Sequence, residues 1–406
     1  SMRWLGLDWD GDLIYQRQRF DIYNQYIDKL LADGHAYWCS CTPEEVEAMR
    51  EKARAEGKKP RYDGRCRELG LGPGPGRVVR LAAPREGRVV FEDMVKGHIA
   101  FDAAELDDMI LRRADGAPTY NLAVVVDDLS MGITHVLRGD DHVNNTPRQI
   151  LIYQALKAKQ PVFGHVPMIL GPDRQKLSKR HGAKAVIEYE KDGLLPEALV
   201  NYLVRLGWSH GDTEIFSRQD LINFFDGNNM NSAAAAFDPE KLLWVNAQHL
   251  RSATPAQLMP QLEPFLREAE VPGQDQSLVL ASIPLIQPRA NSLKDMAEAM
   301  RPLLTPAAEL VYDAAALAKA LTPESAIYVA DLRDRLSALP AFDRDAVHAC
   351  IHGYVEEKGI KFKAIGPALR VSLLGSTGGR DMADAMSVMG KEETLARLGK
   401  ALARLG

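Results

Sequence analysis

The sequence predicts an α/β amino-terminal half with a phosphate site, followed by an all-α carboxy-terminal part. Short apolar segments of strand length alternate with helical patterns before residue 194. A basic loop with glycine at both ends, GPDRQKLSKRHG at 171–182, follows an apolar segment at 162–170. A strand, a basic glycine-bounded loop and a helix together indicate an α/β unit that binds phosphate at the loop. From about residue 194 onward, the apolar residues keep helical spacing.

The composition is that of a globular protein of two to three domains. The 406 residues are 46% hydrophobic and 26% charged, with a formal net charge of −5. This charge argues against a generally basic nucleic-acid binder, although a local basic face would not show in it. No apolar run approaches the roughly 18 residues that a membrane helix needs, and no secretory leader is visible. Four cysteines exclude a disulfide scaffold, and we expect a cytoplasmic protein with no membrane segment.

The first segments alternate between helix and strand patterns. Residues 19–33 form one apolar helical face that ends at Gly34, and Thr42-Pro43 opens a second helix as cap and first turn. Residues 50–67 are strongly basic, and the Gly/Pro stretch 69–77 excludes regular structure. The predicted strands are 78–81, 88–95, 98–101, 120–128 and 162–170, with the apolar block 122–126 as a buried strand. The predicted helices are 144–156, 195–208, 217–225 and 238–250, followed by an all-α region at 250–406.

Several separated blocks resemble the bacterial glutamyl-tRNA synthetases, which are class I aminoacyl-tRNA synthetases. The central ones are PTYNLAVVVDDLSMGITH at 118–135, VLRGDDHVNNTPRQ at 136–149 and KLSKR at 176–180. Further matching blocks are WLGLDWD at 4–10, RFDIYNQYIDKLL at 19–31, PRYDGRCR at 60–67, LPEALVNYLVRLGWS at 195–209 and LRVSLLG at 369–375. The resemblance therefore covers essentially the whole chain.

The resemblance implies an incomplete class I Rossmann-type catalytic domain with an inserted acceptor-end subdomain, followed by an all-α anticodon-binding domain. The implied domains are the catalytic part at 3–38 and 102–193, the inserted zinc-type subdomain at 39–101, a helical connecting domain at 194–249 and the anticodon-binding domain at 250–406. The implied function is glutamate–tRNA ligation by a cytoplasmic monomer. Its substrates would be ATP with Mg²⁺, L-glutamate and tRNA(Glu), and the helical domain would hold the anticodon arm.

The resemblance also implies residue roles at the ATP site. KLSKR matches the family's Lys-x-Ser-Lys signature, which makes Lys179 the leading phosphate ligand, with Lys176 supporting it and Ser178 beside it. Lysine is a point charge on a long stem, so it can follow a departing pyrophosphate. Asp141 occupies the position of an acidic residue that faces ATP or its ribose. Because RGDD also precedes a helix, a capping role for Asp141 remains open.

The amino-acid site would use Arg138 and Tyr120. Glutamate is distinguished by its side-chain carboxylate, which a guanidinium binds through two parallel hydrogen bonds. By resemblance, Arg138 in VLRGDD makes these bonds and Tyr120 in PTYN lines the pocket. We therefore expect Arg138 and Lys179 to share one cleft.

The cysteines predict a zinc site. Cys39 and Cys41 lie two residues apart and Cys66 follows 25 residues later. Some bacterial members of the family carry zinc on a C-x-C…C-x-H pattern, but here Glu68 stands in the histidine position. A carboxylate can ligate zinc, so we predict Cys39, Cys41, Cys66 and Glu68, with His35 as a spare ligand. The alternative is three free thiols in a relative without zinc.

The family's first signature, His-x-Gly-His, is absent from this sequence, together with the strand and helix that carry it. We interpret this as a segment outside the chain, and expect little or no glutamate activation by the chain as written. The alternatives are a non-catalytic tRNA-binding paralogue, a glutaminyl-type synthetase and a glutamyl-queuosine tRNA synthetase. The helical region 250–406 argues against the last two, which end in β-barrels or lack an anticodon-binding domain.

Overall fold

A computed structural model gives the structure and describes residues 1–57, 59–181, 184–271, 275–377 and 381–404. The amino-terminal elements are α1 (Met2–Leu5), α2 (Phe20–Ala32), β1 (Ala36–Cys39), α3 (Pro43–Ala55), β2 (Val78–Leu81), β3 (Arg88–Asp93), β4 (Gly97–Asp102), β5 (Ile110–Arg112), α4 (Tyr120–Ser130), β6 (His135–Gly139), α5 (Thr146–Ala155), β7 (Val162–Val166) and α6 (Val186–Lys191).

Helices make up the rest of the described chain. They are α7 (Pro196–Gly207), α8 (Arg218–Phe224), α9 (Pro239–Ser252), α10 (Pro255–Glu268), α11 (Gln276–Ile286), α12 (Leu293–Leu304), α13 (Ala314–Ala320), α14 (Pro323–Ser337), α15 (Arg344–Glu357), α16 (Gly366–Leu374), α17 (Met382–Met389) and α18 (Lys391–Leu402). After residue 250, the described residues contain no strand, which confirms the predicted all-α region.

The strands form two sheets. β1, β2 and β5 make an antiparallel sheet in the order β1-β2-β5, and the other sheet has the order β4-β3-β7-β6. In the second sheet β3, β7 and β6 run parallel, whereas β4 pairs with β3 as an antiparallel edge. Parallel strands bring their carboxyl ends to one edge, where ligands of α/β proteins bind. That edge positions the candidate site.

The first two predicted helices are confirmed, and the reasons are local. On α2, Tyr23, Ile27 and Leu30 have no solvent exposure, because they repeat at helical spacing toward the sheets. At the start of α3, the hydroxyl of Thr42 accepts a hydrogen bond from the backbone N–H of Glu45, whose carboxylate accepts from the N–H of Thr42. This reciprocal capping satisfies two N–H groups that a helix start leaves unpaired.

The predicted strand at 120–128 is wrong, because these residues form α4. Leu122, Val125 and Val126 are fully buried at positions i, i+3 and i+4, which is the spacing of a helix face. A short apolar run fits a buried strand and a buried helix equally well by pattern alone. Packing of α4 against α2 and α5 decides for the helix.

Two large hydrophobic cores and a small cluster around Trp208 occupy the described helical part. One core joins residues 194–304 with Leu5, and the other extends from Leu303 to Ala401. The predicted insertion at 39–101 includes β3 and β4, and these strands belong to the same sheet as β6 and β7. The domain boundaries stay predictions.

Among the described helices, none has both the length and the apolar character that crossing a membrane requires.

Candidate functional site

Three side chains line up across the carboxyl ends of the parallel strands. Asp93 ends β3, His165 lies on β7, and Arg138 lies on β6 as the register partner of His165. The Asp93 carboxylate (Oδ2) lies 2.5 Å from Nδ1 of His165, and Arg138 donates from Nε to Nε2 of His165 over 3.1 Å. A continuous chain of hydrogen bonds therefore crosses the sheet and ends on the Arg138 guanidinium.

Arg138 is held along one edge by further acceptors from α5. One terminal nitrogen, Nη2, donates to the hydroxyl of Thr146 over 2.7 Å and to the amide oxygen of Gln149 over 2.9 Å. Its guanidinium carbon lies 5.6 Å from the ring centre of Phe163. Burial lowers the pKa of Arg138, while its interactions with Tyr120 raise it. Arginine stays protonated well above neutral pH, so the site carries a fixed, half-buried positive charge.

Tyr120 stands beside this guanidinium at the first turn of α4. It lies close enough to Arg138 to raise the pKa of the guanidinium, and its residue surface is 50% exposed. Its ring centre lies 6.1 Å from that of His142. The neighbouring Asn121 accepts a hydrogen bond from the Gln149 amide over 3.1 Å, which locks α4 to α5 below the site. The structure therefore brings the two residues predicted for glutamate binding together.

Asp141 connects this region to the basic loop. Its carboxylate lies against Gly139, where a Cβ would come within 2.7 Å of Oδ1, so a larger residue there would push the exposed carboxylate aside. The ammonium of Lys176 lies 3.7 Å from Oδ2 of Asp141. Because both side chains are largely exposed, this ion pair contributes little to the stability of the fold. Its effect is to position the Lys176 side chain beside Asp141.

The remaining loop residues follow Lys176 directly. A backbone bond from the N–H of Leu177 to the carbonyl of Ile169 closes the loop at its base. Lys179 is exposed and opens a short 3₁₀ turn, Lys179–His181, and Ser178 is partly buried before it. The structure thus places Tyr120 beside Arg138, and Lys176 beside Asp141. A shared cleft for Arg138 and Lys179 stays a prediction.

The three cysteines predicted for zinc converge in space. The sulfur atoms of Cys39, Cys41 and Cys66 lie within 4.8 Å of one another, and those of Cys41 and Cys66 are 3.5 Å apart. Tetrahedral zinc with Zn–S bonds of about 2.3 Å requires sulfurs about 3.8 Å apart. The spacing of the thiols therefore fits a zinc ion. Among the described residues, no other group of three or more histidine, cysteine or carboxylate side chains is close enough together to hold a metal ion.

The hydroxyl of Tyr62 lies beside the three cysteines. Its hydroxyl oxygen lies 3.3 Å from the sulfur of Cys39 and 3.7 Å from that of Cys41, and it accepts from the backbone N–H of Cys66 over 3.2 Å. The carboxylate of Glu68 is exposed and is not among the clustered ligand atoms. Glu68 as fourth ligand stays a prediction, and the same holds for His35.

The thiols differ in how readily they ionise. Burial raises the pKa of Cys41 to about 12. Burial also opposes ionisation of Cys66, but hydrogen bonds from Tyr62, from the backbone of Ser40 and from the other thiols outweigh it and lower the pKa to about 7. Zinc binds thiolates, and its charge would ionise the remaining thiols on binding.

Sequence reasoning missed Asp93, His165 and Tyr62. Asp93 and His165 lie 72 residues apart, and pairing of β3 with β7 alone makes them neighbours. The available signal was a histidine inside the apolar strand pattern 162–170, since a buried histidine needs polar partners. For Tyr62, the signal was an aromatic hydroxyl four residues before Cys66.

Two family models match the chain. Residues 1–244 match the model described as tRNA synthetases class I (E and Q), catalytic domain. Residues 257–402 match the model described as an anticodon binding domain. Together they cover both the α/β half and the helical part.

Curated relatives are similar over nearly all of this chain. A glutamate–tRNA ligase of Nitratidesulfovibrio vulgaris (strain Hildenborough) is 63% identical over 403 residues, which are 99% of this chain and 87% of that protein. The glutamate–tRNA ligase of Oleidesulfovibrio alaskensis is 60% identical with the same coverage.

A solved structure shares the fold. The crystal structure of a glutamate tRNA ligase from Elizabethkingia meningosepticum in complex with its amino acid is similar with a TM-score of 0.85 and 31% identity. The match covers 100% of this chain and 88% of that one.

Proposed function

Because the chain belongs to the glutamate–tRNA ligases, which are class I aminoacyl-tRNA synthetases, we propose that Arg138, Tyr120, Lys176 and Lys179 perform the family's chemistry in it. The enzyme activates L-glutamate with ATP and transfers it to tRNA. The observation that carries the residue assignment is the half-buried Arg138 guanidinium at the carboxyl end of β6, with Tyr120 beside it.

Arg138 would recognise the substrate side chain. Its Nε and Nη2 already donate to His165, Thr146 and Gln149, which fixes the plane of the guanidinium. The two N–H groups of Nη1 make none of these bonds, so a substrate carboxylate in that plane can accept charge-assisted hydrogen bonds from them, whereas the amide of glutamine also presents N–H groups to a donor-only guanidinium. We propose that this difference selects glutamate over glutamine, with the Tyr120 ring closing the side of the pocket.

The activation step follows from charge. An oxygen of the glutamate α-carboxylate attacks the α-phosphorus of ATP, and the bond to the bridging oxygen breaks, so that glutamyl-adenylate forms and pyrophosphate leaves. Negative charge grows on the leaving oxygens, and fixed cations stabilise it. We propose that Lys179 supplies the main ammonium, that Lys176 supports it, and that Ser178 and Asp141 complete the ATP contacts. Mg²⁺, when bound with ATP, neutralises part of the phosphate charge.

The transfer step uses the tRNA. A hydroxyl of its terminal ribose attacks the activated carbonyl carbon, which forms the ester and releases AMP. The helical part that matches the anticodon-binding model would hold the far end of the tRNA by shape and by unstacked bases. We also propose that the enzyme works as a monomer in the reducing cytoplasm, where its four free cysteines would stay reduced.

We further propose that zinc binds at Cys39, Cys41 and Cys66, with the Tyr62 oxygen in the fourth position that Glu68 was predicted to take. In a tetrahedral site with Zn–O near 2.0 Å and Zn–S near 2.3 Å, the oxygen lies about 3.5 Å from each sulfur. The observed 3.3 and 3.7 Å lie on either side of that value. The ion, when bound, would be structural and would tie residues 60–67 to the end of β1.

Glutamate-dependent ATP–pyrophosphate exchange by the full-length gene product tests the assignment of Arg138. Arg138→Lys keeps the charge but loses the planar pair of donors, so we expect KM for glutamate to rise roughly 100-fold while KM for ATP stays unchanged. Arg113→Lys is the control, since the Arg113 side chain is 60% exposed. An unchanged KM for glutamate in Arg138→Lys would contradict the assignment.

A further inference from the structure

We propose that Asp93 and His165 are positioning residues for substrate selection, which hold the Arg138 guanidinium in the plane that receives the glutamate carboxylate. The proposal deepens the proposed function and rests on the role of Arg138 given there. It concerns two residues that do not touch the substrate and act through Arg138.

The hydrogen-bond inventory determines the proton on His165. A guanidinium can only donate, so the bond from Nε of Arg138 requires Nε2 of His165 to accept. The single ring proton must then lie on Nδ1, which faces the Asp93 carboxylate at 2.5 Å. The hydroxyl of Thr146 lies 2.9 Å from the same Nε2 and accepts from Arg138; because Nε2 has one lone pair, the hydroxyl proton can go instead to the carbonyl of His142, 3.4 Å away. One tautomer of His165 therefore satisfies every partner.

Asp93 is itself fixed. Its Oδ1 accepts hydrogen bonds from the backbone N–H groups of Val95, Lys96 and His165, at 2.9, 2.9 and 3.1 Å. Those three bonds orient the carboxylate so that Oδ2 meets the imidazole. Because the donors are backbone groups at the end of β3 and on β7, the orientation of Asp93 follows from strand pairing.

The imidazole has no freedom to turn. His165 is fully buried, and the Phe163 ring stacks near it with centroids 6.4 Å apart and an interplanar angle of 17°. Phe91 meets it edge-on at 6.4 Å. Rotating the ring would break its contacts with Asp93, Arg138 and Thr146 beside two aromatic rings, which is costly. The Nε2 lone pair therefore points at a fixed place.

A purely structural pair would not need this geometry. Asp93 and His165 could satisfy each other and leave Nε2 to Thr146 alone, yet Nε2 also receives Nε of Arg138. The bond from Nε to His165 fixes one edge of the Arg138 guanidinium. The bond from Nη2 to Gln149 further restricts rotation of the side chain about its χ angles. Misplacement of a binding group by an ångström costs substantial affinity. The pair would thus determine how well the carboxylate fits.

Three near-isosteric substitutions in the full-length gene product test the proposal. Asp93→Asn retains the oxygen that the backbone holds, but its amide donates to Nδ1 and moves the ring proton to Nε2, against Arg138. His165→Asn places an amide near Nδ1 and removes the acceptor at Nε2, whereas His165→Gln places an amide oxygen near Nε2. We expect KM for glutamate to rise roughly tenfold in the first two and about threefold or less in His165→Gln.

A merely structural role predicts a different pattern. Loss of packing would change KM for ATP and the melting temperature together with KM for glutamate, and would affect His165→Gln as much as His165→Asn. Either that pattern, or unchanged KM for glutamate in Asp93→Asn and His165→Asn, would overturn the proposal. Arg113→Lys again serves as the unaffected control.

The tautomer gives a readout that does not depend on catalysis. The side-chain ¹⁵N and ¹³C chemical shifts of His165 distinguish a proton on Nδ1 from one on Nε2. We expect Nδ1–H in the unsubstituted protein and Nε2–H in Asp93→Asn, and the reverse result would refute the relay. The two proposals can fail separately. If Arg138→Lys leaves KM for glutamate unchanged while His165 carries its proton on Nδ1, the proposed role of Arg138 is wrong, but the hydrogen-bond arrangement of Asp93 and His165 is confirmed.

Discussion

Lys176 and Asp141 face each other with 3.7 Å between the ammonium nitrogen and the nearer carboxylate oxygen. The first belongs to the basic loop after β7 and the second to the turn after β6, and β6 and β7 are neighbours in the sheet. The ion pair therefore joins the loop predicted to hold phosphate to the strand end that carries Arg138. This contact supports one continuous site for the amino acid and ATP.

Lys179→Ala should slow the activation step. In the proposed role, the exposed ammonium at the start of the 3₁₀ turn stabilises the leaving phosphates, and removing one positioned cation costs roughly 10²–10³-fold in kcat. Arg180→Ala is the matched control, because Arg180 is the next residue with a 70% exposed side chain that pairs with Asp173. Pyrophosphate exchange by the full-length gene product measures both. Equal losses in the two variants would show that loop charge, rather than position 179, matters.

Tyr62→Phe should reduce zinc retention, whereas Glu68→Gln should not. The phenol oxygen contacts two of the sulfurs, and Glu68 lies outside the cluster of ligand atoms. Loss of one of four ligands weakens binding of a structural zinc, while three thiolates retain some affinity. Metal analysis after dialysis against a weak chelator compares the variants. Zinc near zero in the unsubstituted protein would remove the site, and loss in Glu68→Gln alone would favour the ligand set predicted from sequence.

Arg397→Met should destabilise the helical part strongly. Arg397 is 1% exposed, pairs with Glu393, and donates to the carbonyls of Pro302, Leu303 and Leu373. It thereby joins the ends of α12 and α16 to α18. Removing it leaves buried acceptors unpaired, so we expect the free energy of unfolding to fall by about 3–5 kcal/mol in urea denaturation.

The control for that measurement is Arg335→Met. Arg335 makes two hydrogen bonds of 2.7 Å to Glu357 on the surface of the same helical part. An exposed ion pair contributes little to stability, so the loss should be far smaller than for Arg397. Similar losses in the two variants would contradict the importance of burial at Arg397.

Acidification should lower stability, in part through His165. Burial lowers the pKa of His165 below its ordinary value near 6.5, with Arg138 and His142 adding to the effect and Asp93 opposing it. As pH falls below about 6.5, the unfolded chain binds a proton that the folded chain does not, so stability declines until the lowered pKa is passed. The slope for one histidine is at most about 1.4 kcal/mol per pH unit.

Urea denaturation at pH 7.5 and 5.5 checks this pH effect. Burial also lowers the pKa of His249, so the unsubstituted protein should lose stability through two histidines. His165→Gln removes one of them and should show a smaller difference between the two pH values. An equal difference in that variant would show that His165 does not contribute to the pH dependence.

Sequence alone determined the local elements whose signals lie within a few residues. Thr42 and Pro43 start α3 through capping, and the spacing of Tyr23, Ile27 and Leu30 defines the buried face of α2. The class of the fold and the all-α region after residue 250 follow from the same short-range periodicity, because a helix or strand exposes one face at a fixed interval. Motif resemblance supplied Arg138, Tyr120 and the lysine loop.

Tertiary structure decided what depends on distant segments. The apolar block at 122–126 became a helix because α2 and α5 pack around it, and no pattern within the block shows that. Asp93, His165 and Arg138 form one hydrogen-bonded row only because β3, β7 and β6 pair in parallel. The Tyr62 hydroxyl lies near Cys39 and Cys41 only because the loop between α3 and β2 folds back against the end of β1. Contacts between residues far apart in sequence depend on strand order and packing, which short-range periodicity does not encode.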